Sequence, residues 1–185
     1  MPSPDPSALI DACLQGDRKA QQAFYRRYFP LLLPVCLRYL GDRGEAVAVL
    51  NEAMLKIFGA LGNYRNDGPF EAWLTTIVRN QALTCLKAQA REQRKVVDKS
   101  FVWPVAVPNQ ALDRLAVEDI LTLLHRLPDH LRIVFNLVVF DGYTHAEVAQ
   151  ALRITETASR WRLKKSRELL QGRYLAVHPG KEQEG

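Results

Sequence analysis

No apolar run in this sequence comes near the ~20 residues that a membrane-spanning helix needs. The richest, Ile133 to Phe140, is too short and is interrupted by Asn136. The opening residues, Met1 to Ser7, are proline-rich and acidic instead of basic then apolar, which is not the pattern of a secretion signal. The expectation is a cytoplasmic chain without membrane insertion. Cysteine is scarce and odd in number: Cys13, Cys36 and Cys85 are scattered among apolar neighbours at helical spacing, as reduced core thiols are. The four histidines (His125, His130, His145, His178) pair with no cysteine or carboxylate at metal-ligand intervals, so neither a metal nor a cofactor is expected. Acid, base and nucleophile do not converge either: Cys85 has no histidine near it in sequence, and Pro128 stands between His125 and His130. With no catalytic residue to assign, the chain does not read as an enzyme.

What is present is charge, unevenly spread. The 185 residues carry a net charge of +5 and are 48% hydrophobic, enough apolar material for one compact domain or two small ones. From Arg79 to Lys99 six basic residues face two acids, and from Arg153 to Arg173 seven face two. Those segments together exceed the whole chain's charge, so the remainder is mildly acidic. Two basic patches on an acidic body fit a polyanion gripped at two places, because neutralising phosphates is how such proteins gain affinity. A solvated charge run is the alternative that composition alone leaves open.

Nearly every periodic stretch reads as helix, and no alternating β-branched run is long enough for a sheet, so the fold class is all-α. Gly16-Asp17 looks like a helix end followed by the next N-cap, leading into a helix from Arg18 to Phe29. Pro30 and Pro34 should then break the chain before a short apolar helix that stops near Gly41. A helix from about Glu45 to Leu61 sets Val49, Ala53 and Ile57 one turn apart, with Leu50, Met54 and Phe58 beside them. The loop Gly62 to Gly68 ends at Pro69, which suits a helix start. That helix, Phe70 to about Ala90, buries Phe70, Trp73, Leu74, Ile77, Val78, Ala82, Cys85 and Leu86. Its other face projects Thr76, Asn80, Lys87 and Arg91 together toward solvent.

Between Val96 and Gln110 both periods fail, and the prolines prevent a continuous helix; this is a linker. Helices follow over Ala111 to Leu127 and from Pro128 to Phe140, closed by Asp141-Gly142. Thr144 and Glu147 have capping-box spacing, so a short third helix starts at His145. Thr155 is the next N-cap, and a long basic helix runs from it to about Gln171. Thr144 to Arg167 thus reads as helix, tight turn, helix. Thr157, Arg160, Trp161 and Lys164 form one exposed stripe on the second of these helices, while Leu163 and Leu170 point inward. Such a helix in a helix-turn-helix enters the major groove, where Arg and Lys meet guanine edges and phosphates. The large aromatic Trp161 among arginines is poorly explained by solubility.

At these residues the chain resembles the extracytoplasmic-function group of bacterial sigma factors, within the sigma-70 superfamily, from about Ala8 to Leu175. The pieces are Gly16-Asp17 with Phe24, Tyr25 and Tyr28; Asn51 to Phe58; Phe70-Glu71-Ala72-Trp73-Leu74 with Ile77, Arg79-Asn80 and Ala82; Leu127-Pro128; and Gly142-Tyr143-Thr144 with Glu147-Val148-Ala149. Thr155 to Leu170 resembles the family's recognition helix. The resemblance implies two small helical domains joined by a flexible linker, 1–95, 96–110 and 111–178, with a disordered tail at 179–185. The first domain would bind the clamp helices of the polymerase β′ subunit through Glu45, Ala48, Asn51, Glu52 and Lys56. It would also hold the melted minus-ten strand through Asn63, Arg65, Asn66, Asp67, Thr76, Arg79, Asn80, Lys87 and Arg91. The second would bind the β flap and read the minus-thirty-five duplex through Thr155, Thr157, Arg160, Trp161, Arg162, Lys164 and Lys165. An anti-sigma factor is the further partner that many relatives have.

Several positions depart from the family pattern. Val47 and Ala48 stand where acids are usual just before Asn51-Glu52, Asn51 stands where Gln is commoner, Arg153 replaces a turn glycine and Thr84 an acid. A lost charge-assisted contact at Ala48 would cost about 1–3 kcal/mol of polymerase affinity. The alternative function is therefore a DNA-binding transcriptional regulator that has lost polymerase binding.

Overall fold

The computed structural model describes residues 6–65, 68–95 and 121–177, and every regular element among them is helical. None of these helices is long and apolar enough to cross a membrane. The chain divides between Pro104 and Val105 into two compact units. The expected linker, and residues 111–120 of the helix expected after it, lie outside the described residues.

The N-terminal unit is built from α1 (Pro6–Leu14), α2 (Arg18–Leu40), α3 (Arg43–Ala60), a single 3₁₀ turn (Leu61–Asn63) and α4 (Phe70–Lys95). The same device joins α1 to α2 and α2 to α3. A glycine in the left-handed region closes one helix, Gly16 at φ 80° and Gly41 at φ 82°, and the aspartate after it caps the next. Asp17 Oδ1 accepts from the Lys19 N–H at 2.7 Å, and Asp42 Oδ1 from the Glu45 N–H at 2.8 Å. The core between α2, α3 and α4 consists of fully buried Phe24, Cys36, Tyr39, Leu50, Ala53, Ile57, Leu74, Val78 and Ala82. Each large side chain among them contributes about 1.5–3 kcal/mol by leaving water. Burial pushes the Cys36 thiol up to about 12, and all three cysteines are free.

One expectation fails here. Pro30 and Pro34 do not break the chain; both lie inside the uninterrupted α2. They are one turn apart, both exposed, and the two backbone hydrogen bonds they forfeit therefore fall on the solvent side, where water can satisfy the freed carbonyls. Buried Leu32, Leu33, Val35 and Cys36 hold the opposite side of the helix to the core throughout.

In the C-terminal unit, residues 121–125 are helical, α5 spans Asp129–Phe135, α6 His145–Leu152 and α7 Glu156–Val177. Arg132, only 2% exposed, ties the start of α5 together: it pairs with Asp129 Oδ1 at 2.8 Å and donates to the His125 carbonyl at 3.4 Å. The α-helix expected to reach Phe140 instead widens into a π turn over Asn136–Phe140. Its closure explains this, since the Asp141 N–H returns to the Asn136 carbonyl at 3.0 Å and the Tyr143 N–H to Leu137 at 2.9 Å. The Thr144–Glu147 capping box opens α6 as expected. The Thr144 N–H and hydroxyl both bond Glu147, which holds its carboxyl below the usual range.

Arg153 ends α6 at φ 55° and ψ 49°, a left-handed conformation that an L side chain adopts only at some cost. Arg153→Gly should therefore stabilise the C-terminal unit by about 0.5–1 kcal/mol, net of glycine's greater unfolded-state freedom. Slower hydrogen exchange of α6 and α7 amides would register the gain, and unchanged or faster exchange would refute it.

Candidate nucleic-acid interface

The turn after α3 and the first two turns of α4 enclose an open cleft of about 360 Å³. Its lining is Asn63, Tyr64, Arg65, Gly68, Pro69, Ala72, Trp73 and Thr76. The Tyr64 hydroxyl donates to the Gly68 carbonyl at 2.6 Å, which pins the two described ends of the loop together. The Tyr64 ring packs on Phe70 at 4.9 Å and Trp73 at 5.4 Å, and Phe70 continues the contact to Tyr28 and Phe24 in the core. A polar-rimmed recess with aromatic walls on a rigid base can accept a planar heterocycle by stacking.

Three expected residues, Asn63, Arg65 and Thr76, thus meet in one cleft, while Asn66 and Asp67 lie outside the described residues. Tyr64 and Trp73 join them unannounced: Trp73 was assigned to the buried face, but it is only half-buried. The usable signal was an aromatic loop residue beside a helix start with another aromatic in its first turn. Along α4, Asn80 and Lys87 are exposed on the side of Thr76, whereas the side chain of Arg91 lies outside the described residues. Arg79, also expected at the melted strand, is only 5% exposed, because positions 79, 82 and 86 share the face that buries Ala82 and Leu86.

On α3, Ala48, Asn51, Glu52 and Lys56 are exposed and Glu45 is half-buried, all toward one side of the helix. Asn51 Oδ1 accepts from the Tyr25 hydroxyl at 2.9 Å, and the Tyr25 ring stacks on Phe29. Val47 is half-buried and Ala48 presents only a methyl group to solvent.

In the C-terminal unit the stripe of Thr157, Arg160, Trp161 and Lys164 is exposed, with Trp161 at 57%. Thr155 caps α7, its hydroxyl accepting from the Ala158 N–H at 3.1 Å. Arg160 and Lys165 make only surface pairs with Glu156 and Glu168, weak enough to be exchanged for phosphates. Arg162 is half-buried, and its charge, after burial itself, lowers the His130 pKa. It therefore sits to the side of the stripe.

Two buried serines on α7 escaped sequence reasoning. Ser159 Oγ lies 2.9 Å from His145 Nδ1 on α6, and Ser166 Oγ donates to the Arg162 carbonyl of its own helix at 2.7 Å while lying 3.1 Å from the Leu131 carbonyl of α5. Their spacing of seven, flanking Leu163, is the trace they leave in the sequence.

Two family models match in this order: Sigma-70 region 2 over residues 24–92 and Sigma-70, region 4 over residues 117–170. The chain belongs to the sigma-70 family, in its extracytoplasmic-function group. The two models together cover about two thirds of this sigma factor, one in each unit. It is similar to the RNA polymerase sigma-H factor of Pseudomonas aeruginosa, 27% identical over 88% of this chain and 90% of the relative. The ECF RNA polymerase sigma-E factor of Escherichia coli K12 is 26% identical over 89% of this chain and 92% of its own. A solved sigma factor RpoE from Bartonella quintana, in complex with the anti-sigma factor NepR, shares the fold with a TM-score of 0.57 at 19% identity. The likeness covers 82% of this chain and 94% of that one.

Proposed function

We propose that this sigma factor, which directs RNA polymerase to specific promoters and assists their opening, divides the work between its two units as its regions are ordered. The observation that carries this is the pairing of each matched region with its own exposed recognition surface. These surfaces are the aromatic cleft with the Asn80 and Lys87 face in the first unit, and the α7 stripe in the second. Residues 1–95 would bind the β′ clamp helices through the α3 face and hold the melted minus-ten strand at the cleft. Residues 111–178 would contact the β flap and read the minus-thirty-five duplex, with 96–110 as linker and 179–185 as a tail. Nucleotide addition belongs to the polymerase, so this chain supplies specificity and acts in the cytoplasm where that enzyme works. An anti-sigma factor is a further partner in this reading, as the Bartonella protein has one.

Core polymerase binding is tested with the purified chain and its own core enzyme. Glu52→Arg should weaken association at least about tenfold with the helical fold intact, since it reverses a charge on the exposed α3 face. A wild-type chain that ignores core polymerase but still binds promoter duplex would instead be the regulator that Ala48, lacking the usual acid, keeps in play.

Opening and duplex binding separate the roles of the two DNA surfaces. Asn80→Ala should slow promoter opening more than it weakens binding to duplex; equal losses would make Asn80 a structural residue.

On α7, base contacts and phosphate contacts differ in what they do to sequence preference. Arg160→Ala should relax the preference at one or two minus-thirty-five positions by about 1–3 kcal/mol, whereas Arg173→Ala, far down α7, should leave it unchanged. Competition across a promoter library at several salt concentrations reads both. Uniformly lower affinity with the preference intact would reduce Arg160 to a backbone contact.

A further inference from the structure

All three charged side chains of the α3 face are held by α4. Gln81, 8% exposed, lies between Glu52 and Lys56: its Nε2 donates to Glu52 Oε2 at 2.5 Å, and its Oε1 accepts from Lys56 Nζ at 2.5 Å. Two turns on, Gln89 Nε2 donates to Glu45 Oε1, which also accepts from Cys85 Sγ at 3.6 Å. Positions 81, 85 and 89 recur every four residues on α4, and positions 45, 52 and 56 form the facing stripe of α3.

The chemistry of this seam is unusual in what it leaves untouched. Glu52 precedes Lys56 by four residues, the order and spacing that favour a direct ion pair on a helix. A primary amide engages both, since it carries donors at one end and an acceptor at the other. It satisfies a carboxylate and an ammonium without neutralising either. Both charges consequently remain available to an incoming partner of complementary charge, already ordered, so that binding need not freeze two long side chains. Gln81 also directly follows Asn80. One turn of α4 therefore presents Asn80 on its exposed face while its neighbour sets the charges of α3.

We infer that Gln81, supported by Gln89, is a positioning residue for polymerase recognition: it presents Glu52 and Lys56 to the core enzyme oriented and with their charges intact. This rests on the reading of α3 as the polymerase-binding face. It also gives the weakened acidic segment at Val47 and Ala48 a compensation, because fewer charges bind as well when each is held in place.

The test uses the full chain and its own core polymerase. Gln81→Leu keeps the size and helix propensity of the side chain and removes both hydrogen bonds; Gln81→Glu keeps the shape, attracts Lys56 and repels Glu52. Each should raise Kd about tenfold, equivalent to about 1.4 kcal/mol, with Gln81→Glu losing more at low salt than at high salt. The decisive arm repeats Gln81→Leu in a Glu52→Gln background. If Gln81 acts through Glu52, the loss there shrinks well below its value in the wild type, whereas a residue that merely stabilises the fold gives the same loss in both. Additive losses, or wild-type affinity for both Gln81 variants while the wild-type chain binds core normally, would overturn the inference and leave the polymerase reading standing. Failure of the wild type to bind core would overturn both.

Discussion

α4 runs without a break from Phe70 to Lys95, and its helical period divides its described side chains between a face turned to α2 and α3 and a face turned to solvent. One face, with Phe70, Leu74, Val78 and Ala82, closes the core against α2 and α3. The same face, continued by Gln81, Cys85 and Gln89, also meets the polar side of α3 through hydrogen bonds. The opposite face carries Thr76, Asn80 and Lys87 into solvent beside the aromatic cleft. Burial fixes the rotation of the helix, and that rotation places both the seam and the exposed stripe, which lies roughly 200° round the helix from it.

In the C-terminal unit the same demand falls on α7. There α7 leaves a whole stripe of Thr157, Arg160, Trp161 and Lys164 outside, so few positions remain to hold it down. Leu163 supplies apolar contact, Ser159 pairs with His145 on α6, and Ser166, satisfied by the Arg162 carbonyl of its own helix, packs beside the Leu131 carbonyl of α5. A buried hydroxyl without a partner is expensive, so Ser159 accepts only a narrow range of helix placements. The small size of both serines also lets the helices approach closely. The remaining hold comes from the apolar core of that unit, with Leu124, Leu131, Val134, Leu137 and Val148 all buried.

How far the sequence disclosed this depends on which residues sat on a face with a single purpose. The helical class, the Gly16-Asp17 junction, the capping box at Thr144 and the α7 stripe were legible because each rests on local spacing alone. The prolines of α2 were misread because a broken hydrogen bond was weighed without knowing that it faced solvent. The burial of Arg79 could be read from its register with Ala82 and Leu86, although the resemblance names it only beside Asn80. Trp73 and Tyr64 escaped because an aromatic at a helix start reads as core until the loop that opens beside it is seen. The seam could not be read at all. Gln81 and Gln89 are unremarkable on α4, and acquire meaning only when α3 is laid across them.

That last case bears on how a family surface that has lost acids could still be recognised. In the resemblance to other sigma factors, the α3 face is recognised by the number and order of its charges, and Val47 and Ala48 count as losses. Number is only one determinant of electrostatic recognition. A mobile exposed carboxylate averages its field over many rotamers and surrenders conformational entropy on binding, whereas a held one does neither. Because the holding group here is an amide, it adds no charge of its own to offset what it orders. If α3 is the polymerase-binding face, as proposed, its effective strength would be set on α4, by residues that need never touch the polymerase. Relatives should then be compared by what stands opposite Glu52 and Lys56 as well as by the acids that precede them.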